Sequence, residues 1–479
     1  MEIKGYLGRQ ITYHEDKDKK ISTILGDEFF FDFSKFEHFG FFAKSGGGKS
    51  YSAGDILEEA IKTENNLFGT IFITPVGNIA TMRIPNKTGE IERWNKEIKK
   101  NDVEPMGFDR SKLKLLIPAE CIGNFDPLMF DEVFSISAKN LTEDLLCYAF
   151  GMQPLDNQVS LYRKIKRNFD RGGNEYNLND IINEINITEY HSQTKESLTR
   201  KLEALESLGL ISENAPEVYD LIQPGKAIAF DLSMSSEYTN RIIVNFFAKK
   251  LMYYRNLITS KINLAKIKLE LEEENWKQFA DWYLPPVRLI IDEAHEFLPN
   301  NHILRSYIKK GRNLGCVLGF ISQSADLTRD SYANLSHLFI GPMRFDEDIT
   351  TLRSLTGTER SYENFKKLVK SQGNGCFLYY NTNKLYSEKV IQFRPRCSLH
   401  PSSNCVENEK KYLIISDEDN NNEDLEKDLL DFLGKKVVKL EKIPNVYSYL
   451  IPKMIDSGIL RSNGKSVVVD ISKLRAEVS

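Results

Sequence analysis

Short, nearly continuous apolar runs recur along the chain, and their residues are mostly aliphatic, β-branched or aromatic. They lie at 69–74, 227–232, 287–292, 316–322, 337–341 and 375–380. Because they do not alternate with polar residues, they are typical of strands that are covered on both faces of a sheet. Segments with helical character separate them, as in "KSYSAGDILEEAIK". The pattern predicts an α/β fold with a mainly parallel sheet.

Residues 120–225 have a different pattern, with four segments of helical periodicity in succession. In the last of them Leu198, Leu202, Leu205 and Leu208 fall on one helix face. We therefore predict a helical subdomain inserted between two strands. A highly charged stretch at 266–283 predicts one further helix near the surface.

The two ends of the chain differ from the middle. Residues 1–36 read as a short strand-rich segment, which precedes a main domain over 37–400. After residue 400 the segment 416–428 is acidic and poor in apolar residues, and two apolar stretches follow it. These stretches predict a small α/β appendage over 401–479, to which no motif assigns a role.

Composition adds little about partners. The 479 residues include 64 basic and 68 acidic side chains, for a net charge of -4. Nucleic-acid binding would therefore need a local patch or an internal channel. The N-terminus has no apolar signal core, and no window reaches the roughly 18 apolar residues of a membrane span. We expect a cytoplasmic protein with no membrane association.

The stretch "AKSGGGKS" (43–50) follows an apolar run and precedes a helical segment. It fits the Walker A pattern GxxxxGK[ST], except that Ala43 replaces the first glycine. In such a loop, backbone N–H groups and the following helix N-terminus form an anion site, a lysine reaches the β- and γ-phosphates, and a hydroxyl ligates Mg²⁺. We predict that ATP is bound by Ser45, Gly46, Gly47, Gly48, Lys49, Ser50 and Tyr51, with Ser50 on Mg²⁺.

A second motif, "VRLIIDEAHEF" (287–297), is an apolar run that ends in two carboxylates. In a nucleoside triphosphatase the first, Asp292, supports the Mg²⁺ shell. The second, Glu293, can act as the general base that polarises the attacking water. A third run ends at Gln323, where the carboxyl end of a strand would face the nucleotide, and we predict that this residue senses the γ-phosphate.

These motifs occur in an order that resembles the HerA branch of the HerA/FtsK superfamily of hexameric ATPases. The similar stretches are "DFSKFEHFGFFAKSGGGKS", "ITPVGN", "LIQPGKAIAFDLS", "LIIDEAHEFLP", "KKGRNLGCVLGFISQSADL" and "FRPRCSLH". The resemblance covers about residues 22–400. Thr74 stands where that family usually has aspartate, and the segment before the loop is too short for the family's complete N-terminal barrel. It would be a reduced version.

The resemblance implies a RecA-like P-loop ATPase core that forms a hexameric ring and moves double-stranded DNA through its pore. It also implies that Arg312, in "KKGRN", acts in the active site of a neighbouring subunit; Arg394 or Arg396 could hold that role instead. A nuclease or an antiviral-defence effector would be the partner protein. Basic residues that could contact DNA in the channel are Arg163, Lys164, Lys166, Arg167 and Arg171.

Two other functions would also use some of these motifs. The ring could be an ATPase scaffold or switch that assembles and regulates an effector enzyme without processive movement on DNA. The letters "DEAH" could alternatively indicate a superfamily 2 helicase. Lys49 and Asp292 lie 243 positions apart, however, and no Ser-Ala-Thr motif follows Asp292. The spacing therefore argues against a superfamily 2 helicase.

Overall fold

The computed structural model describes most of the first 400 residues and three short strands after them. The described ranges are 3–15, 21–63, 66–77, 79–97, 103–126, 129–173, 175–270, 283–325, 334–384 and 387–400, with 438–439, 460–462 and 466–469. The chain divides into one unit of Met1–Phe125 and Phe130–His400, and a second of Asp126–Met129 and Pro401–Ser479.

One twelve-stranded sheet organises the first unit. Its strands are β1 (Lys4–Glu15), β2 (Ile21–Asp32), β3 (His38–Phe42), β4 (Gly69–Thr74), β5 (Leu113–Pro118), β6 (Glu132–Phe134), β7 (Ala227–Asp231), β8 (Val287–Ile291), β9 (Cys316–Ser322), β10 (Leu335–Ile340), β11 (Cys376–Asn381) and β12 (Lys389–Phe393). In space they are ordered β2-β1-β12-β11-β10-β3-β9-β8-β4-β7-β5-β6.

The eight strands from β10 to β6 in this order are all parallel. The six apolar runs correspond to β4, β7, β8, β9, β10 and β11, so the predicted α/β fold with a mainly parallel sheet is confirmed. Both faces are covered: Leu289 and Ile291 of β8 belong to one hydrophobic cluster, and Ile290 belongs to another. This two-sided burial explains why the runs do not alternate with polar residues.

Eleven helices are described in the first unit. They are α1 (Lys49–Lys62), α2 (Gly89–Glu97), α3 (Glu143–Phe150), α4 (Asn157–Gly172), α5 (Leu178–Ile187), α6 (Ser192–Ser207), α7 (Val218–Leu221), α8 (Glu237–Glu270), α9 (His302–Leu314), α10 (Asp346–Thr356) and α11 (Tyr362–Lys370). None of these described helices has both the length and the apolar character needed to cross a lipid bilayer.

The helical region differs from its prediction at its start. Helices α3 to α6 coincide with the four predicted segments, and Leu198, Leu202 and Leu205 of α6 are fully buried. The range 120–225 also contains strand β6, which pairs with β5 at the sheet edge. Neither β5 nor β6 was predicted, because "LKLLIP" contains a lysine and a proline and "EVF" is only three residues long. The predicted charged helix at 266–283 falls mainly outside the described residues; its first residues belong to α8.

The N-terminal segment departs from the expected barrel-like unit. Its described residues form a hairpin of β1 and β2, and β1 pairs antiparallel with β12. The hairpin therefore extends the main sheet. The strand edge of β12 explains this arrangement, because a free edge exposes backbone N–H and C=O groups that an added strand can satisfy.

Helix α1 is anchored by a buried cluster of charges at its C-terminal half. The guanidinium of Arg394 lies 3.1 Å from Asp55, 3.0 Å from Glu58 and 2.9 Å from Glu59. Arg396 adds a contact of 3.2 Å to Glu58. The two arginines hold the pKa of the buried Glu58 at about 2, despite the opposing effect of burial. The segment after β12 is thereby bound to the helix that begins in the glycine loop.

The second unit is described by three strands: β13 (Val438–Lys439), β14 (Leu460–Ser462) and β15 (Ser466–Val469). They form an antiparallel sheet in the order β13-β15-β14. The helical part of the predicted appendage lies outside the described residues.

Arg394→Met tests the buried cluster. Because it leaves buried carboxylates without their cation, we expect the free energy of unfolding to fall by about 3–5 kcal/mol. Arg360→Met is the matched control, since it removes an arginine from an exposed pair with Glu388 and should cost no more than about 1 kcal/mol. Urea unfolding of both variants measures the difference. Equal effects would contradict the anchoring role.

Candidate nucleotide site

The glycine loop lies between β3 and α1, at the carboxyl edge of the parallel sheet. Gly46 and Gly48 have left-handed backbone angles, with φ of 74° and 85°. At Gly48 a side chain would also be excluded by packing, because a Cβ there would lie 2.8 Å from the backbone nitrogen of Gly375. Only glycine combines this conformation with so close an approach. The loop therefore has the backbone path that an anion-binding turn requires.

Ala43, which replaces the usual first glycine, is accommodated by its neighbours. It is fully buried, and its backbone N–H donates to the Ser322 carbonyl at 3.2 Å. A Cβ on Gly47 or on Gly341 would lie only 2.9 Å from the Ala43 Cβ. Those two positions lack side chains, so the extra methyl group fits.

Asp292 lies beside Ser50, which is the second residue of α1. The Ser50 hydroxyl donates to one carboxylate oxygen at 3.3 Å, and the Thr74 hydroxyl donates to the other at 3.4 Å. The Glu293 backbone N–H donates to the first oxygen at 2.9 Å. The residue that departs from the family pattern, Thr74, is thus a neutral donor to the carboxylate. A second acid at that position would add negative charge beside Asp292.

Burial and the neighbouring Glu293 raise the pKa of Asp292 from its ordinary value of 3.8 to about 6. Lys49 opposes this shift, and the hydrogen bonds from Glu293 and Ser50 also oppose it. A carboxylate with a raised pKa gains most from a nearby cation, because the cation stabilises its charged form.

The oxygen atoms of Ser50 and Asp292 fit Mg²⁺. This ion prefers hard oxygen ligands and usually takes one or two from the protein, with the rest from phosphates and water. Among the described residues no group of three or more His, Cys, Asp or Glu side chains forms a metal cage. The hydroxyl and carboxylate, 3.3 Å apart, are therefore the pair that would hold the ion.

Glu293 contacts two other predicted site residues. Lys49 Nζ lies 3.2 Å from Glu293 Oε1, and the Gln323 side-chain amide donates to the same oxygen at 2.8 Å. Glu293 itself has a left-handed backbone, with φ 49° and ψ 43°. Such a conformation is costly for a residue with a side chain and concentrates at functional sites. Three strands, β3, β8 and β9, thus bring one lysine, one carboxylate and one amide together.

Arg312 lies far from this group. It is exposed near the end of α9, just before β9 begins at Cys316. Because β9 runs parallel to β3, Arg312 is at the amino edge of the sheet, about 20 Å from the carboxyl edge at roughly 3.3 Å per residue. It cannot reach the glycine loop of its own chain.

The other two predicted arginines are in a different environment. Arg394 and Arg396 are 1% and 3% exposed and are bound to the carboxylates of α1. Burial inside their own chain leaves neither available to a neighbouring active site. Tyr51 is also engaged: its hydroxyl accepts from the Arg396 backbone N–H at 3.0 Å and donates to Glu90 at 3.3 Å.

The basic residues of α4 are not equivalent. Lys166 is buried and bound to Asp170, to Tyr176 and to the Lys139 carbonyl, so it is unsuitable for a DNA contact. Arg163 pairs with Glu143 at 3.2 Å. The remaining three, Lys164, Arg167 and Arg171, are exposed.

Two parts of the site were not predicted from the sequence. The Lys44 backbone N–H donates to the Pro342 carbonyl at 2.8 Å, so the segment after β10 packs on the glycine loop. His295 lies beside the second oxygen of Glu293, at 3.4 Å. The histidine is visible in "DEAH", but nothing in its spacing indicated a role.

A parallel α/β sheet with a glycine loop, a lysine and paired carboxylates at its carboxyl edge defines the class of P-loop nucleoside triphosphatases with a RecA-like core. Residues 26–251 match the family model described as the central domain of the HerA helicase. The match covers slightly less than half of the chain, and the resemblance inferred from the sequence is confirmed. The match contains the glycine loop and ends before Asp292.

Several solved structures are similar at low identity. VirB4 of Thermoanaerobacter pseudethanolicus has 14% identity and a TM-score of 0.45, with 81% of this chain and 96% of that chain covered. The bacterial conjugative coupling protein TrwBdeltaN70 has 13% identity and a TM-score of 0.42, covering 75% and 86%. The genome packaging NTPase B204 from Sulfolobus turreted icosahedral virus 2, in complex with ATP-gammaS, has 16% identity and a TM-score of 0.24, covering 37% and 72%. No curated protein matches.

Asp292→Asn should stabilise the nucleotide-free protein. Between pH 4 and 6 the unfolded state has an ionised Asp292 while the folded state keeps it protonated, so wild-type stability falls as pH rises through this window. The asparagine variant lacks this loss. Its free energy of unfolding should therefore exceed that of the wild type by roughly 2–3 kcal/mol at pH 6, and the difference should stay constant at higher pH. Denaturant unfolding at several pH values measures it.

The exposed Asp220 offers a control, since Asp220→Asn removes a charge without relieving burial. We expect that variant to differ from wild type by less than about 0.5 kcal/mol across the same pH range. An Asp292→Asn variant that is no more stable than wild type at pH 7 would contradict the raised pKa.

Proposed function

We propose that this protein is an ATP-driven translocase of HerA type, which hydrolyses ATP with Mg²⁺ to move along double-stranded DNA. The observation that carries the proposal is the convergence of Lys49, Gln323 and Glu293, next to Ser50 and Asp292, at the end of a glycine loop. These side chains lie in segments that follow three strands, β3, β8 and β9, which meet only in the folded sheet. The match of residues 26–251 to the central domain of the HerA helicase supports the same function.

The roles of the residues follow from their chemistry. Lys49 supplies positive charge to the β- and γ-phosphates, and the loop N–H groups supply hydrogen bonds. Glu293 accepts the proton of the water that attacks the γ-phosphorus, and ADP leaves. Gln323, bound to the same carboxylate, senses the γ-phosphate. Mg²⁺ held by Ser50 and Asp292 would neutralise phosphate charge.

The amino-edge position of Arg312 favours a shared active site. An exposed arginine that cannot reach its own glycine loop can reach that of a neighbour in a head-to-tail ring, which is a heterologous interface. A planar guanidinium can meet two γ-phosphoryl oxygens at once. We therefore infer a closed homo-oligomer, a hexamer by resemblance, in which Arg312 acts in trans.

DNA contact in such a ring needs only a few basic side chains in the pore. Lys164, Arg167 and Arg171 on α4 are the exposed members of the predicted set. Contacts of this kind to the phosphate backbone would be independent of base sequence and would weaken steeply with salt. A nuclease or defence effector as partner protein, and the expected cytoplasmic location, are part of the same proposal.

One observation favours the second candidate, an ATPase scaffold that regulates an effector enzyme. Two of the five α4 basic residues, Arg163 and Lys166, are engaged within the chain. A scaffold does not need to move along DNA, so it would need fewer basic residues that are available for DNA contact. Movement on DNA distinguishes the two functions.

We expect the purified protein to hydrolyse ATP with Mg²⁺, faster with duplex DNA, and to displace a DNA-bound roadblock. Glu293→Gln should bind ATP and retain it, because the amide keeps the size of the carboxylate but cannot accept the proton. Lys49→Ala should lose both binding and turnover. Loss of the base should lower the rate by about 10²-fold or more.

The measurements are steady-state phosphate release, retention of labelled ATP on the protein, and roadblock displacement. Wild-type hydrolysis by Glu293→Gln would contradict the assignment of the base. Hydrolysis that appears only with a co-purified enzyme, without displacement of the roadblock, would favour the scaffold.

A mixing experiment tests Arg312. We expect Arg312→Ala rings to bind ATP but to lose hydrolysis, since such arginines contribute roughly 10³ to 10⁵ in rate. Mixed rings with Lys49→Ala subunits, which keep the arginine, should recover part of the activity, because intact sites form at some interfaces. Arg305→Ala is a control on the same helix.

Mixing is verified by differently tagged subunits that co-purify. Full activity of Arg312→Ala alone, or no recovery in rings shown to be mixed, would contradict the trans role.

A further inference from the structure

The two carboxylate oxygens of Glu293 have different surroundings. Oε1 is held by Lys49 at 3.2 Å and by Gln323 at 2.8 Å. Oε2 lies 3.4 Å from Nδ1 of His295. Both of these facing atoms are buried, and neither completes a hydrogen bond with any described residue. The imidazole is thus next to the carboxylate oxygen that the other site residues leave uncontacted.

Binding of ATP must change the first set of contacts. One ammonium group cannot keep its place beside Oε1 and also serve the β- and γ-phosphates, so Lys49 has to move toward the nucleotide. Glu293 then loses its cation at the stage when its orientation matters most. Gln323 alone would hold one oxygen and leave the carboxylate able to rotate about the side-chain bonds.

We propose that His295 is a positioning residue for Glu293, which donates from Nδ1 to Oε2 and fixes the general base once Lys49 has moved to the phosphates. This inference rests on the proposed ATPase function. The hydrogen bond needs a shortening of only a few tenths of an ångström, from 3.4 Å to the usual N–H···O distance of about 2.9 Å.

The local backbone supports this role. Ala294–Glu296 forms a single turn of 3-10 helix, in which the Glu296 N–H donates to the Glu293 carbonyl at 3.0 Å. Across this turn, His295 Nδ1 lies 3.4 Å from Glu293 Oε2. The left-handed backbone of Glu293 accompanies a side chain whose Oε1 contacts Lys49 and Gln323 and whose Oε2 faces His295.

The test compares His295→Ala with His295→Asn. Asparagine places an amide nitrogen close to the position of Nδ1, so it retains the donor, whereas alanine removes it. We expect His295→Ala to lower kcat about tenfold, since a mispositioned catalytic group typically costs ten- to a hundredfold. The KM for ATP should change less than about twofold, because the substitution alters the orientation of the base and leaves Lys49 and the glycine loop intact. His295→Asn should recover most of the rate.

His191→Ala is the matched control, since His191 is an exposed histidine at the start of α6. It should leave kcat unchanged. A His295→Ala enzyme with wild-type kcat would overturn the inference, as would an asparagine variant no better than the alanine variant. If a smaller folded fraction of His295→Ala, measured by thermal unfolding, accounted for its whole loss of rate, the residue would act in folding alone. That result would overturn the inference as well.

A structure of the wild-type protein with a non-hydrolysable ATP analogue decides the question independently of activity. We expect Lys49 on the phosphates and His295 Nδ1 within hydrogen-bond distance of Glu293 Oε2. A carboxylate that has turned away from His295 in that complex would overturn the inference. Absence of hydrolysis by the wild-type enzyme would instead contradict the proposed function, so the two failures are distinguishable.

Discussion

The contact between Lys49 and Glu293 joins residues that are 244 positions apart and forms only if the whole parallel sheet is in register. Lys49 is the first residue of α1, after β3. Glu293 follows β8, and Gln323 follows β9, which lies between β3 and β8. Each side chain is short compared with the width of the sheet. A shift of one residue in any of the three strands would turn its end to the wrong face.

Charged side chains are concentrated at both ends of α1, but the balance between cations and carboxylates differs between the two ends. At the start of the helix, Lys49, Asp292 and Glu293 share a buried space with one cation for two carboxylates. Burial there raises the pKa of Asp292, which leaves the site incomplete without further positive charge. At the other end, Arg394 and Arg396 pair with Glu58 and Glu59 and fix the helix in place, while burial raises the pKa of Asp55.

Most of the sheet could be predicted because its strands are apolar on both faces, and the glycine loop and paired acids could be predicted because their chemistry is local in sequence. The edge strand β6 and the pairing of β1 with β12 could not, since short or half-exposed strands depend on neighbours that the sequence does not identify. The same limit applies to His295. Its importance comes from the distance to one oxygen of Glu293, which a residue spacing does not reveal.

The position of β3 has a consequence for how the chain acquires its structure during synthesis. The strand that carries the glycine loop ends at Phe42, but its two neighbours in the sheet, Cys316–Ser322 and Leu335–Ile340, are made nearly three hundred residues later. A nascent chain that has just completed residues 26–251 therefore holds an apolar strand with no partner on either edge. Pairings of such long sequence separation form slowly and leave strand edges exposed in the meantime. On the ribosome, β3 would accordingly lack its full pair of sheet neighbours until β10 has emerged.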